Sequence, residues 1–339
     1  MTASGPSSAL TFLHGLLRDE SPGEIPTDAA TRLLALVTAH GLDARLDEAV
    51  RDGRARVPDA ERPGLRERMR TRTAKALHAL HIRDQAVGLL QTAGVPVLVL
   101  KGAAFADWLY PRPELRAFED VDLLVPRSSW RKALAALVRG GASAGRRSGS
   151  GPYVRSVQVP GGLVVDLHGR FADAPGRAGL DGEPVFDRAL PAVHGGPQVP
   201  TLSLADHLLH VAEHAARSKW VRLGWLTDVH LLRDHLDAAG TTLDEVRALA
   251  DRVGRRRMLE LALLLEARAY GRPYDDMPDL SELVAACEAN QLAPDTVDAH
   301  GFDADWHARL VDDPADVAAA RRDRWRRGVR RRILRLVGQ

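Results

Sequence analysis

Strand-forming sequence is confined to the middle of this chain, and that confinement sets what it can fold into. Residues 95–100 are a short apolar, β-branched run of the kind that makes a buried strand, broken by Lys101-Gly102. Residues 121–125 form a second run, stopped by Pro126. Residues 153–159 and 163–167 read as two more strands joined at Gly161-Gly162, a strong hairpin signal. On both sides the apolar residues recur at a helical period. A helix is expected over residues 27–40, where Leu33, Leu34, Leu36 and Val37 share a face and Gly41 ends it. A long helix over residues 63–93 draws its apolar face from Leu77, Leu80, Ile82, Val87 and Leu90. Further helices are expected over 103–109, 130–139 (capped by Ser128 or Ser129), 203–217, 221–238 and 243–268. The expected fold is α+β and predominantly helical, with a small mixed β-sheet flanked by N- and C-terminal helical regions. The expected organisation is an N-terminal helical region over 1–93, an α/β core over 94–200, and a C-terminal helical domain with a basic tail over 201–339.

Composition removes several alternatives. The single cysteine, Cys287, rules out an internal disulfide and a cysteine-based zinc site, and reads as a buried bystander. The N-terminus lacks the basic segment and apolar run of a secretory signal. No stretch approaches the ~20 apolar residues of a membrane span, so a cytoplasmic protein is expected. A net charge of +2 says nothing about nucleic acid by itself. Residues 319–336, however, carry nine arginines in an amphipathic pattern. That tail reads equally as solvated charge and as a contact for nucleic acid or another anionic partner.

The chemistry-bearing residues gather in the strand region. Asp120 and Asp122 stand at i and i+2, so on a strand they share a face. Adjacent carboxylates repel unless neutralised, and a divalent cation such as Mg²⁺ (or Mn²⁺) does this with oxygen ligands. The plainer reading is a cap or salt bridge at a strand entrance. Asp166 lies inside another apolar run, where an acid is costly unless paired or metal-bound. If its strand pairs beside that of Asp122, three carboxylates converge as in a two-metal phosphoryl-transfer site.

Lys101-Gly102 reads as a strand–turn–helix junction. There a helix N-terminus, a glycine open to close approach and a lysine would all suit a phosphate. An ordinary turn with an exposed lysine is the alternative, and the Gly and Ser/Thr spacing of a P-loop is absent. Arg116 would reach the same phosphates, or is a solvated loop residue. His207, His210 and His214 share one helix face, either as a zinc site or, preferred, as a semi-polar stripe near the cleft. Trp220 and Trp225 read as core or cleft wall.

Taken together, several segments resemble the bacterial uncharacterised nucleotidyltransferase family of the polymerase-β-like nucleotidyltransferase superfamily. They are Val97-Leu98-Val99-Leu100-Lys101-Gly102, Leu109-Tyr110-Pro111, Arg116, Asp120-Val121-Asp122-Leu123-Leu124-Val125 and Val165-Asp166-Leu167-His168. The likeness continues through Leu204-Ala205-Asp206-His207, His214, Trp220 and Trp225-Leu226-Thr227-Asp228, over roughly residues 15–275. The resemblance implies a small mixed sheet of that superfamily's type. It implies metal ligands at Asp120, Asp122 and Asp166, with nucleotide phosphates at Lys101, Gly102 and Arg116. It also implies Lys101 among the catalytic residues and acceptor-side roles for His168, His214 and Asp228. The implied reaction moves NMP, with AMP from ATP the first expectation, to an unidentified acceptor hydroxyl or phosphate on a small molecule, peptide, protein or RNA. A kinase-like phosphotransferase on the same scaffold is the alternative. So is a non-catalytic nucleotide- or partner-binding module, antitoxin-like or serving a biosynthetic pathway.

Overall fold

The computed structural model describes residues 6–118, 120–144, 153–170, 184–193, 196, 198–274, 278–299, 303–313, 315 and 318. The arginine-rich segment 319–336 lies outside the described residues. The chain opens with α1 (Pro6–Leu17), α2 (Ala30–Ala39) and α3 (Asp43–Arg51). A short parallel pair, β1 (Gly23–Glu24) and β2 (Ala55–Arg56), was not foreseen and ties the segment after α1 to the segment after α3.

The long helix α4 (Arg62–Thr92) has Pro63 in its first turn, where a missing N–H has no helical partner to lose. Its buried face is not quite the expected one. Ile82, Val87 and Leu90 are buried, but Leu77 is exposed, and Ala76, Ala79 and Ala86 make the seam instead. Alanines let the helix approach its neighbours closely, which leucine counting overlooks.

A five-stranded sheet follows, ordered β3-β4-β7-β6-β5. β3 (Leu98–Leu100) runs antiparallel to β4 (Val121–Leu124), and β4 runs parallel to β7 (Val164–His168). β7 pairs antiparallel with β6 (Val154–Gln158) through the Gly161-Gly162 turn, and β5 (Ser143–Ala144) closes the far edge. Both turn glycines have left-handed φ, at 98° and 84°, which the hairpin needs and side-chain-bearing residues resist. All of β4 is buried, as befits an inner strand packed on both faces.

Between β3 and β4, α5 (Lys101–Phe105) is shorter than the expected 103–109 helix. Arg83 of α4 holds it, because the buried guanidinium donates to the Ala103 carbonyl at 2.8 Å and pairs with Asp107 at 2.7 Å. α6 (Trp130–Arg139) crosses from β4 to β5 and packs on α4.

The C-terminal half is helical. α7 (Leu204–Arg217) begins at Ser203, whose hydroxyl accepts from the Asp206 amide. α8 (Gly224–Ala238) and α10 (Arg256–Tyr270) pack on it. The single helix expected over 243–268 is two, since α9 (Leu243–Val253) stops at Gly254, left-handed at φ 65°. That is a glycine C-cap, and α10 restarts two residues later. α11 (Ser281–Leu292) buries Cys287, and burial pushes its thiol up, as an inert core residue. α12 (Ala304–Leu310) follows. Among the described residues no helix is long and apolar enough to cross a membrane.

Several polar contacts tie the two halves, and one is an ion pair to a fully buried acid. Arg116, in the loop leading to β4, donates to both oxygens of Asp228 on α8 at 2.7 Å each, and the Tyr110 hydroxyl donates to the same carboxylate at 2.6 Å. Asp228 has no exposed surface. Removing one partner of such a pair leaves a buried charge uncompensated. Asp228→Ala is therefore expected to lower stability by about 3–5 kcal/mol. Urea unfolding should show this as a fall in midpoint at unchanged slope.

Candidate active site

The hairpin and the parallel pairing fix where the acids meet. Asp122 of β4 stands directly opposite Asp166 of β7, and Leu124 stands opposite His168. Side chains alternate along a strand, so Asp122, Asp166 and His168 share one face. Their ligand atoms lie within 4.8 Å of one another. On the other face Val165 and Leu167 are wholly buried. The expected convergence of Asp122 and Asp166 is thus present in the geometry.

Each oxygen of Asp122 has a basic neighbour. Lys101 Nζ lies 3.3 Å from Oδ2, and His168 Nε2 lies 2.7 Å from Oδ1. Burial alone would raise the Asp122 carboxyl, but the Lys101 ammonium and the bond to His168 overcome it and hold it well below the usual carboxylate range. Asp166 accepts a hydrogen bond from the Ser156 hydroxyl of β6.

Lys101 reaches Asp122 from an unusual backbone position. It follows β3 and opens α5 with φ 50°. A residue with a side chain in that region costs of order 1–3 kcal/mol and persists where its surroundings impose it.

Asp120 differs from the expectation. It precedes β4 rather than lying in it, reaches the surface as a residue while neighbouring groups crowd its carboxyl, and its oxygens fall outside the group formed by Asp122, Asp166 and His168. Desolvation of its carboxyl, and then the Asp122 charge, push it up to about 6. It therefore sits at the rim of the cluster and feels the cluster's charge.

Gly102 also departs from its expected role. A Cβ there would meet Phe118 Cβ at 2.5 Å, so the space beside this glycine is filled by a side chain. Gly102 is needed for packing, whatever else approaches its amide. Gly169 behaves likewise, its missing side chain making room for Trp130, which meets Tyr153 edge-on.

Two further expectations are corrected. Arg116, read as reaching the phosphates or as a solvated loop residue, is instead held by Asp228 through its Nε and Nη2. Asp228, wholly buried, cannot touch an acceptor and serves as the anchor of Arg116. His214 is half-buried, edges onto Trp225 at 5.3 Å between ring centroids, and feels the Lys101 and Asp122 charges. Burial holds it well below the usual histidine range.

The three α7 histidines do not converge on a metal. His207 bonds Thr201 Oγ1 at 2.7 Å and packs on Phe105, with burial pushing it down to about 3. Among the described residues the only group suited to a metal is Asp122, Asp166 and His168. Trp220 is core, wholly buried.

Sequence reasoning missed Ser156 and Phe118, and gave Tyr110 no role although it stands in the Leu109-Tyr110-Pro111 segment. Ser156 was within reach, since pairing outward from Gly161-Gly162 sets it opposite Asp166. Phe118 sits in an irregular loop and had no such signal, and nothing near Tyr110 shows that its hydroxyl meets Asp228.

The Gly102 contact gives a direct test. Gly102→Ala should cost about 1–3 kcal/mol by overpacking. In a Phe118→Gly background, which removes the Cβ met at 2.5 Å, most of that penalty should vanish, as a double-mutant cycle by chemical unfolding would reveal.

No curated protein matches the chain. Among solved structures it is similar to the antibiotic-resistance factor ANT(2'')-Ia, whose solution structure reveals substrate-regulated conformation dynamics. Identity is 15%, the TM-score is 0.36, and the alignment covers 52% of this chain and 91% of that one. A family model described as "Uncharacterised nucleotidyltransferase" matches residues 26–271, a span that takes in every site residue from Lys101 to Asp228. The chain belongs to this nucleotidyltransferase family and is a transferase.

Proposed function

We propose that this protein transfers NMP from an NTP, with ATP the first candidate, to a hydroxyl or phosphate oxygen of an acceptor, using a divalent cation, Mg²⁺ or Mn²⁺. The observation that carries the reading is the in-register pair Asp122 and Asp166, with Lys101 and His168 beside it. The donor set suits such an ion, because two facing carboxylates supply hard oxygen ligands and require a counter-charge. Asp122 and Asp166 would hold it, with Asp120 at the rim as the third carboxylate. Bound there, the ion would supply Lewis-acid activation of the phosphorus and of the attacking oxygen.

The remaining roles fall to the chain itself. Ser156 orients Asp166, which we assign the proton of the acceptor. The acceptor oxygen bonds to the α-phosphorus as the bond to the pyrophosphate oxygen breaks. Lys101, a point charge at the start of α5, offsets the charge that builds on pyrophosphate. His168 holds the Asp122 carboxylate in place, and His214 lines the acceptor side. Supply of NTP assigns the activity to the cytoplasm.

The test uses NTP labelled at the α- or the γ-phosphate, a divalent cation and candidate acceptors. Label from the α position should reach the acceptor with release of pyrophosphate, and chelation of the cation should stop it. Asp122→Asn should bring turnover to background, so release that survives this change would defeat the reading. Label transferred from the γ position would identify phosphotransfer instead. Ser156→Ala should raise the cation concentration needed for half-maximal activity by about 10–100-fold, as losses of groups that orient metal ligands do.

A further inference from the structure

A cavity of about 620 Å³ is lined in part by the loop that carries Arg116 and Phe118. It is walled by α2, α3, α4, that loop and the start of α8, and none of the Asp122, Asp166 and His168 cluster lines it. Its size suits a ligand of small-molecule dimensions. Six cationic side chains face it: Arg45, Arg68, Arg72, Lys75, Arg116 and Arg222.

The acids nearby do not balance them. Asp43, buried on α3, is shared by Arg68 at 3.0 Å and Arg72 at 3.4 Å. Arg45 pairs with Asp19, and Arg116 with Asp228. The other lining acid, Glu67, pairs with Arg70, which does not line the cavity. Among the described residues Lys75 and Arg222 make no ion pair or hydrogen bond, and both are exposed. Arg68 Nη2 is buried with no hydrogen-bond partner. Unspent donors and like charges crowded round one cavity call for an anion with several acceptor oxygens. Trp225, Phe118 and Leu115 add an apolar wall for the rest of such a ligand.

The cavity also communicates with the carboxylate cluster. Phe118 packs on Gly102, next to Lys101. Trp225 meets His214, which senses Lys101 and Asp122.

We propose that this cavity binds the phosphate-bearing end of a small-molecule substrate, held chiefly by Lys75, Arg222 and Arg68. That it is a substrate rests on the nucleotidyl-transfer reading; that the cavity binds phosphate does not. Two sources share this chemistry, the triphosphate of the NTP and a phosphorylated acceptor.

The test is calorimetric titration of the full chain with inorganic tripolyphosphate in excess EDTA, which separates it from metal-dependent catalysis. Saturable binding is expected in the unsubstituted protein and, equally, in Asp122→Asn. The double substitution Lys75→Met, Arg222→Gln should weaken it by about tenfold or more, the effect of losing at least one charge-assisted hydrogen bond. Both residues are exposed, and circular dichroism checks that the fold is kept. Arg131→Gln with Arg139→Gln removes two charges from α6, outside the cavity, and should leave binding unchanged.

Absence of saturable binding overturns the proposal. So does binding that survives the Lys75 and Arg222 substitutions, or that falls equally with the α6 pair. Repeating the titration with Mg²⁺ and a saturating non-hydrolysable ATP analogue assigns the source. Competition gives the cavity to the NTP triphosphate, and undiminished binding gives it to the phosphorylated acceptor. Absence of pyrophosphate release in the activity assay would remove the catalytic reading and leave the binding result standing.

Discussion

Two carboxylates that face each other across neighbouring strands repel, and the site is arranged around that repulsion. Asp122 and Asp166 are placed opposite by β4–β7 pairing, which the sheet core holds in register. Positive charge must come from somewhere, and Lys101 brings it from a backbone position that side-chain-bearing residues avoid. The strain at Lys101, the buried anchoring of α5 by Arg83 and the packing of Phe118 on Gly102 all serve the same end. They fix an ammonium beside a carboxylate at the junction of β3 and α5.

Much of this was legible in the sequence because it is local. Alternation along a strand, a Gly-Gly hairpin and a Lys-Gly junction are short-range signals, and the strands follow from them, whereas the facing of Asp122 and Asp166 was conditional on a pairing of β4 with β7 that no local signal supplies. What was not legible is long-range. Arg116 and Asp228 are 112 residues apart, so nothing in the neighbourhood of either reveals that they meet. An arginine near a phosphate site and one locked to a buried acid read alike in sequence. Similarly, the glycine at 102 reads as an open approach until Phe118 is seen to fill it. The break at Gly254 was visible as a residue but was outweighed by the strong apolar period on either side.

The cationic cavity shows a second kind of illegibility. Its charges come from four separate places: one from α3, three from α4, one from the 110–118 loop and one from just before α8. In a chain with so many arginines no single one stands out. Only their convergence, and the shortage of acids around them, separates a binding surface from solvated charge.

The Gly161-Gly162 turn carries a consequence beyond its own geometry. Side chains in a strand alternate with a period of two, so a hairpin one residue longer or shorter cannot keep both the core and the polar face. Such a change would set Val165 and Leu167 against Asp166 and His168 for the same space. Evolution can vary most surface turns in length, but here turn length and active-site chemistry are a single inherited character.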